Sequence, residues 1–169
     1  MIPNTMFPTL HIAKALDVAV KRKVNARDGV LMTLSMGGVK LGTSLQAPCG
    51  GPDETSIPAA HMANFVRAFR DKGYKSKHED DPEIRRLIPN PSDELRLLGI
   101  CADITNEGIT LKAMKRRAKT HIMWVCRDSK PGEYFEFKGP CTEDMRQAVK
   151  VSNPAQTILF FINDDIADL

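Results

Sequence analysis

The C-terminal part of the chain has the most readable pattern of apolar and polar positions. Four short apolar-rich segments, bounded by turn signals or by helical spacing, have the length and composition of β-strands. The predicted strands are 100–105, 122–127, 134–138 and 157–162, and the predicted helices are 107–119 and 143–149. This β-α-β-β-α-β order is typical of a ferredoxin-like module. Because that fold hosts many unrelated functions, it indicates no function by itself.

The N-terminal part predicts a helix, a hairpin and a second helix. Apolar residues at helical spacing predict the first helix over 9–23 and the second over 56–72. Between the helices, two apolar runs are joined by Gly37 and Gly38. Two glycines in that place indicate a hairpin with a primed turn, since both central residues need a positive φ.

The predicted fold class is α+β, in three consecutive parts that can pack as one compact domain. An α-β-β-α module spans 1–78, and the ferredoxin-like module spans 99–169. Residues 79–98 between them are predicted to form a helical connector of two short helices. The first of these begins at Pro82, where proline is favoured at the first helical position.

Alternation along the strands assigns side chains to the two faces of the predicted C-terminal sheet. Phe135 and Phe137 share one side, which we expect to face the helices. Asp103, Glu136 and Lys138 are expected to meet on the other side. The last strand is apolar on both sides, so we expect either the N-terminal module or a second copy of the chain to cover it.

The distribution of charge says more than its total. With 24 Lys and Arg against 21 Asp and Glu, the net charge is only +3, which does not imply a polyanionic partner. Four cations recur at i, i+3, i+4 and i+7 on the predicted helix 107–119, where like charges repel each other. Phosphates would neutralise such a stripe. The predicted nucleic-acid-binding residues are Lys112, Lys115, Arg116 and Lys119, helped by Lys21, Arg22 and Lys23 at the end of the first helix.

A plainer explanation of the stripe is ion pairing within the protein. The connector is acidic, and Asp164, Asp165 and Asp168 give the chain an acidic end. Either segment could supply partners for the cations. The leading hypothesis is nevertheless a small non-catalytic binding or regulatory protein that contacts nucleic acid.

Two other functions stay open from the sequence. The first is a protein-binding inhibitor or adaptor, because basic and acidic blocks alternate along the chain and the last strand needs a cover. The second is an enzyme, because Asp103 with the acid-x-Lys pair Glu136 and Lys138 resembles the metal-dependent PD-(D/E)xK nucleases. That resemblance implies that two carboxylates hold Mg²⁺ and that the lysine activates water. No cofactor or metal site is expected otherwise.

Cysteine usage and hydropathy bear on location. The four cysteines stand singly, with no Cys-x-x-Cys pair, so neither a zinc ribbon nor a redox motif is expected. The segment Met1–Pro8 is too short and too proline-rich for a signal peptide. No apolar run has the length of a membrane span. We therefore expect a cytoplasmic protein without a membrane partner.

Overall fold

The computed structural model of the protein describes residues 5–25, 29–46, 54–75, 82–130 and 132–169. The α+β class is confirmed, with two antiparallel sheets of four and three strands among the described residues. The chain divides into two compact units. The first comprises Thr9–Asn106, and the second comprises the described part of Ile2–Pro8 together with Glu107–Leu169. The boundary therefore falls later in the chain than the predicted connector.

The four-stranded sheet and the first four helices lie within residues 8–117. The elements are α1 (Pro8–Ala15), β1 (Val18–Asn25), β2 (Gly29–Met36), β3 (Val39–Gln46), β4 (Glu54–Thr55), α2 (Ala59–Asp71), α3 (Pro82–Leu87) and α4 (Asp93–Arg117). Strands β1 to β4 are neighbours in chain order. The predicted hairpin is confirmed: Gly37 and Gly38 join β2 to β3 with φ of 59° and 73°. The predicted second helix is confirmed as α2.

The predicted helix over 9–23 is wrong in its second half. Helix α1 ends at Ala15, and β1 begins three residues later. Asp17 ends the helix because its φ of 50° lies in the left-handed region. Beyond it, half-buried Val18 and Val20 alternate with exposed Ala19, which is the period of a strand with one buried face. The helical spacing of the same apolar residues was coincidental.

The predicted strand over 100–105 is also wrong, because these residues lie inside α4. This helix is 25 residues long and continues through Gly99, which was expected to end it. In the part of α4 around the predicted strand, the buried apolar residues are spaced by three, one and three positions, which is helical; they are Leu97, Ile100, Cys101 and Ile104. Without the strand, the described C-terminal residues supply three strands, one fewer than a ferredoxin-like sheet requires.

The other C-terminal elements are confirmed within a few residues. They are β5 (His121–Cys126), β6 (Phe135–Lys138), α5 (Glu143–Ser152) and β7 (Ile158–Phe161), followed by a further helix, α6 (Ile162–Ala167). Strand β5 lies between β6 and β7, and both pairs are antiparallel. Thr142 caps α5 by accepting a hydrogen bond from the amide of Met145. The apolar cluster under α5 contains Ile122, Trp124, Cys126, Val149 and Phe161.

Residues from the beginning of the chain complete this second unit. The hydroxyl of Thr5 lies 2.7 and 2.8 Å from the two carboxylate oxygens of Asp165, and the amide of Met6 donates to the same carboxylate at 2.8 Å. Asp165 is only 7% exposed, so these bonds replace the water that it loses on burial. Phe7 next to them is 1% exposed.

The outer side of β7 is only partly covered. Phe161 belongs to the apolar cluster that includes Val149 of α5, whereas Leu159 is 40% exposed. A second copy covering this strand therefore stays a prediction. Among the described residues, no helix combines the length and the apolar character needed to cross a membrane.

Candidate nucleic-acid interface

The predicted cationic residues lie at the C-terminal end of α4. Lys112, Lys115 and Arg116 are on the helix, and Lys119 lies in the turn that follows it. All four are exposed. Within the described ranges, none of these four cations forms an ion pair. We call these four residues the basic stripe.

The neighbouring cation, Arg117, differs from the basic stripe because it has a carboxylate partner. Its Nε donates to Oε2 of Glu136 at 2.8 Å, and its Nη2 donates to Oε1. This bidentate bond raises the pKa of Arg117 and lowers the pKa of Glu136. The one carboxylate of β6 is thus bound to Arg117, which is not a member of the basic stripe.

The acidic end of the chain is largely bound to other partners. Arg146 on α5 donates to both carboxylate oxygens of Asp164 at 2.6 Å, which raises the pKa of Arg146. Asp165 is held by Thr5 and by the amide of Met6. Two of the three acids at this end of the sequence, Asp164 and Asp165, are therefore bound to groups outside the basic stripe.

The helix dipole explains part of the stripe. Lys115 and Arg116 lie in the last turn of α4, where the negative end of the helix favours cations. Lys112 lies more than a turn from the end, and the effect falls off within the last turn. Stabilisation of the helix end therefore accounts for two of the four residues and leaves the length of the stripe unexplained.

The adjoining sheet edge adds polar and cationic groups. His121 on β5 lies directly opposite Lys138 on β6. A hydrogen bond of 2.8 Å joins Nδ1 of His121 to the hydroxyl of Thr120. Lys138 is exposed and lies on the same face of β6 as Glu136, which binds Arg117.

The second group of predicted binding residues lies in the first unit. Lys21, Arg22 and Lys23 were expected at a helix end, but they are exposed residues of β1, an edge strand of the four-stranded sheet. Successive residues of a strand point to opposite faces. Lys21 and Lys23 therefore share one face, and Arg22 lies on the other.

The residues of the nuclease hypothesis are placed differently from expectation. Asp103 lies on α4, where it accepts a hydrogen bond of 2.8 Å from the hydroxyl of Tyr74. Glu136 is bound by Arg117. The strand pairing that was to bring Asp103 beside Glu136 and Lys138 is not formed, because residues 100–105 are helical. Among the described residues, no group of three or more His, Cys, Asp or Glu side chains is placed to hold a metal ion.

The exposure of the β6 aromatic residues was not foreseen. Phe135 and Phe137 lie opposite Trp124 and Ile122 and so share their face of the sheet, as the alternation predicted. They were also expected to be covered by helices, and this is wrong: they are 42% and 56% exposed. The ring of Phe135 stacks on Trp124 at 6.0 Å between centroids, so its other side faces solvent.

In comparisons with known proteins, no family model, no curated protein and no solved structure matches this chain.

Proposed function

We propose that this protein is a small non-catalytic binding protein that contacts nucleic acid through the basic stripe. The observation that carries the proposal is the contrast between the stripe and the charges around it. Arg117 and Arg146 have carboxylate partners, while the four exposed stripe cations pair with no acid in the described parts of the chain. Clustered cations repel one another, and a polyanion relieves that repulsion.

The dimensions of the stripe fit a phosphate backbone. Within α4, Arg116 lies four positions after Lys112, which corresponds to roughly 6 Å along the helix axis at about 1.5 Å per residue. A nucleic-acid strand in a duplex carries one charge per roughly 3.4 Å of axis, so the helical part of the stripe can face about two phosphates, and Lys119 extends the stripe beyond the helix. Three of its four members are lysines, which bind phosphate as point charges.

This kind of contact fixes position without reading sequence. Lysine contacts to phosphate carry no sequence information by themselves. The proposal therefore implies binding that depends strongly on salt and little on base sequence. The cations of β1 belong to a separate unit and are not needed for this surface.

The test is a salt series of fluorescence-anisotropy titrations, with labelled mixed-sequence single-stranded RNA and duplex DNA as probes. The variant replaces Lys112, Lys115 and Lys119 by Gln. A matched control replaces three exposed lysines of the first unit by Gln, namely Lys40, Lys72 and Lys75, and so removes the same total charge. The stripe variant should lose binding at moderate salt, and its slope of log K against log salt should fall by about 2–3.

The control variant should bind like the unchanged protein. Equal losses in both variants would mean that overall charge, rather than the stripe, determines binding. No measurable affinity of the unchanged protein for either probe at low salt would overturn the proposal. The melting temperatures of both variants should stay close to that of the parent, since exposed lysines contribute little to stability.

A protein-binding inhibitor or adaptor is the second candidate. It is favoured by the exposed aromatic side chains of β6, since interface cores are enriched in aromatic residues. Affinity capture from lysate with and without nuclease treatment separates the two functions. A complex bridged by nucleic acid dissociates on treatment, whereas a direct protein partner is retained.

A further inference from the structure

In the described part of the chain, strand β6 is an edge strand with no neighbouring strand on its outer side. It is the outermost strand on its side of the three-stranded sheet, and its four residues are all exposed. Tyr134, just before the strand, is 37% exposed. An edge strand has one row of backbone N–H and C=O groups without a neighbouring strand, and such a row is a template for a further strand.

The ladder between β5 and β6 shows which groups form that row. The amide of Gly139 donates to the carbonyl of Thr120 at 2.9 Å, which continues the register of the pair. In an antiparallel pair, hydrogen-bonded positions alternate along the strand. Phe137 therefore directs its backbone groups toward β5. The backbone groups of Glu136 and Lys138 point to the open edge.

A contact on the opposite side of β5 agrees with this alternation. Met123 lies opposite Glu136, so its amide should point away from β6. It does so, because it donates to the side chain of Asn163 at 2.8 Å.

We propose that the β6 edge binds the β6 edge of a second copy of this chain. The two strands run antiparallel about a two-fold axis that passes beside Phe137 and stands normal to the sheet. The two three-stranded sheets then join into one continuous sheet. This inference is independent of the nucleic-acid proposal. It rests on the backbone groups and side chains of β6, whereas the nucleic-acid proposal rests on the basic stripe.

The charges of the edge select one register. A two-fold axis normal to the sheet keeps each residue on its own face, so a residue can oppose only partner residues of the same face. When Phe137 opposes the partner's Phe137, Glu136 opposes the partner's Lys138. Both are edge-pointing residues, so each such pair exchanges two backbone hydrogen bonds and brings opposite charges together.

The nearest alternative register is unfavourable. A shift by two residues places Glu136 opposite the partner's Glu136, and like charges directly opposite each other are destabilising. Glu136 is also held in place by Arg117. Its carboxylate is therefore oriented before the second copy arrives, and an ordered group loses less conformational entropy on binding.

The aromatic face gains cover in the same register. Phe137 meets the partner's Phe137 at a position without backbone hydrogen bonds, where side chains approach most closely. Phe135 lies opposite the partner's Gly139. A Cβ at Gly139 would lie 3.0 Å from Cε of Met145, so in this register the ring of Phe135 lies next to the Met145 side chain of the other copy. Pro140 follows directly and has no N–H to donate, so it limits the pairing to a few residues. A short interface of this kind makes a weak dimer that dissociates on dilution.

A charge-complementation experiment tests the pairing. Lys138→Glu leaves only acidic groups on the edge, and Glu136→Lys leaves only basic ones. Sedimentation velocity over about a hundredfold range of protein concentration should show dimer formation by the parent. Each variant alone should stay monomeric, and an equimolar mixture of the two should form dimers again. A mixture that stays monomeric while the parent dimerises would overturn the register, and a parent that stays monomeric throughout would overturn the proposal.

A cross-linking experiment covers the case in which a charge variant fails to fold. In the proposed register, residue 137 meets itself and residue 135 does not. With oxidised glutathione as oxidant, two thiols at residue 137 lose their protons and form one disulfide while the glutathione disulfide is reduced to two thiols. Phe137→Cys should therefore yield a covalent dimer, and Phe135→Cys should not. Equal yields from both, or none from Phe137→Cys, would contradict the two-fold pairing.

Discussion

The amide nitrogen of Met123 donates to the side-chain Oδ1 of Asn163 over 2.8 Å. The Nδ2 of the same side chain donates to the carbonyl of His121 at 3.0 Å. Both groups belong to the side of β5 that β7 pairs with, beyond the point where β7 ends. The side-chain amide of Asn163 thus pairs with the backbone of His121 and Met123, as a neighbouring strand would. The chain can therefore turn into α6 without leaving these two backbone groups of β5 unpaired.

Asn163→Ala is expected to destabilise the protein by about 2 kcal/mol, because the amide of Met123 loses its acceptor. Met123 is fully buried, so water cannot easily replace the acceptor. Urea denaturation measures the loss. Asn64→Ala is the control, since Asn64 is exposed and its Oδ1 accepts a hydrogen bond from the side chain of Arg67 on the same helix. The cost of this substitution should stay within about 0.5 kcal/mol.

Asn163→Asp adds a pH signature to that prediction. The new carboxylate can still accept from Met123, but when ionised it cannot donate to the carbonyl of His121. Its pKa should therefore be raised in the folded protein, so the variant should regain stability as the pH falls and the carboxyl takes up a proton. A loss that does not change with pH would contradict the donor role of Nδ2.

Glycine substitutions should have opposite effects at two positions. At Gly42, with φ of 153°, a Cβ would lie 2.8 Å from Cγ1 of Ile57 and 3.0 Å from its Cα, so Gly42→Ala should cost about 2–4 kcal/mol. At Gly108, inside α4, a Cβ meets nothing within 4 Å outside its own helix. Gly108→Ala should stabilise by about 1 kcal/mol. Melting temperatures of the two variants test this, and a stabilised Gly42→Ala would show that β3 does not approach Ile57 closely.

The Arg117–Glu136 pair should stabilise the protein only while the carboxylate is ionised. Arg117 lowers the pKa of Glu136 in the folded state. The stabilisation is therefore fully present above the ordinary carboxyl pKa of about 4.3 and is lost as the pH falls through the lower folded-state value. Glu136→Gln should lower the melting temperature slightly at neutral pH and not at all in strong acid.

Salt provides the check on that pair. Both side chains are partly exposed, so added salt should shrink the neutral-pH difference. Glu133→Gln is the matched control, because its remaining side-chain oxygen can still accept from the amide of Lys130. A difference between parent and Glu136→Gln that persists in acid would contradict the ion pair.

Cys101 should be unreactive until the protein unfolds. Burial raises the pKa of its thiol to about 12, and the side chain is 2% exposed. The nucleophilic thiolate is therefore scarce at pH 8. Iodoacetamide labelling followed by peptide mass spectrometry should modify the half-buried Cys141 before Cys101, and urea should equalise the two. Early labelling of Cys101 in the folded protein would contradict its burial in α4.

Elements fixed by local chemistry could be predicted from the sequence. The hairpin depends on two glycines that alone supply its positive φ values, and α5 depends on the cap at Thr142 and its own apolar spacing. Helix α4 could not be predicted in full. The residues around Ile100 resemble a strand in isolation, and Gly99 resembles a helix end. Burial of one face along 25 residues offsets the cost of a glycine inside a helix.

The candidate sites divide in the same way. The spacing of Lys112, Lys115 and Arg116 predicted that they share one helix face, and this could be predicted because the segment is helical. The convergence of Asp103 with Glu136 depended on a distant pairing that a pattern of single residues does not contain. The exposure of Phe137 likewise depends on how far α5 reaches over the sheet. That is a property of packing between elements, which local alternation does not report.

The first unit interrupts the second in the chain, and this sets an order of events during synthesis. Thr5 and Asp165 are 160 positions apart. At about 5–20 residues per second, a nascent chain waits roughly 8–30 s between the two. The first unit can finish folding in that interval, while Phe7 has to remain without its final surroundings. A newly made chain therefore carries Phe7 as an unburied aromatic residue until the segment around Asp165 has been synthesised, which makes the segment around Phe7 a place where a chaperone would bind first.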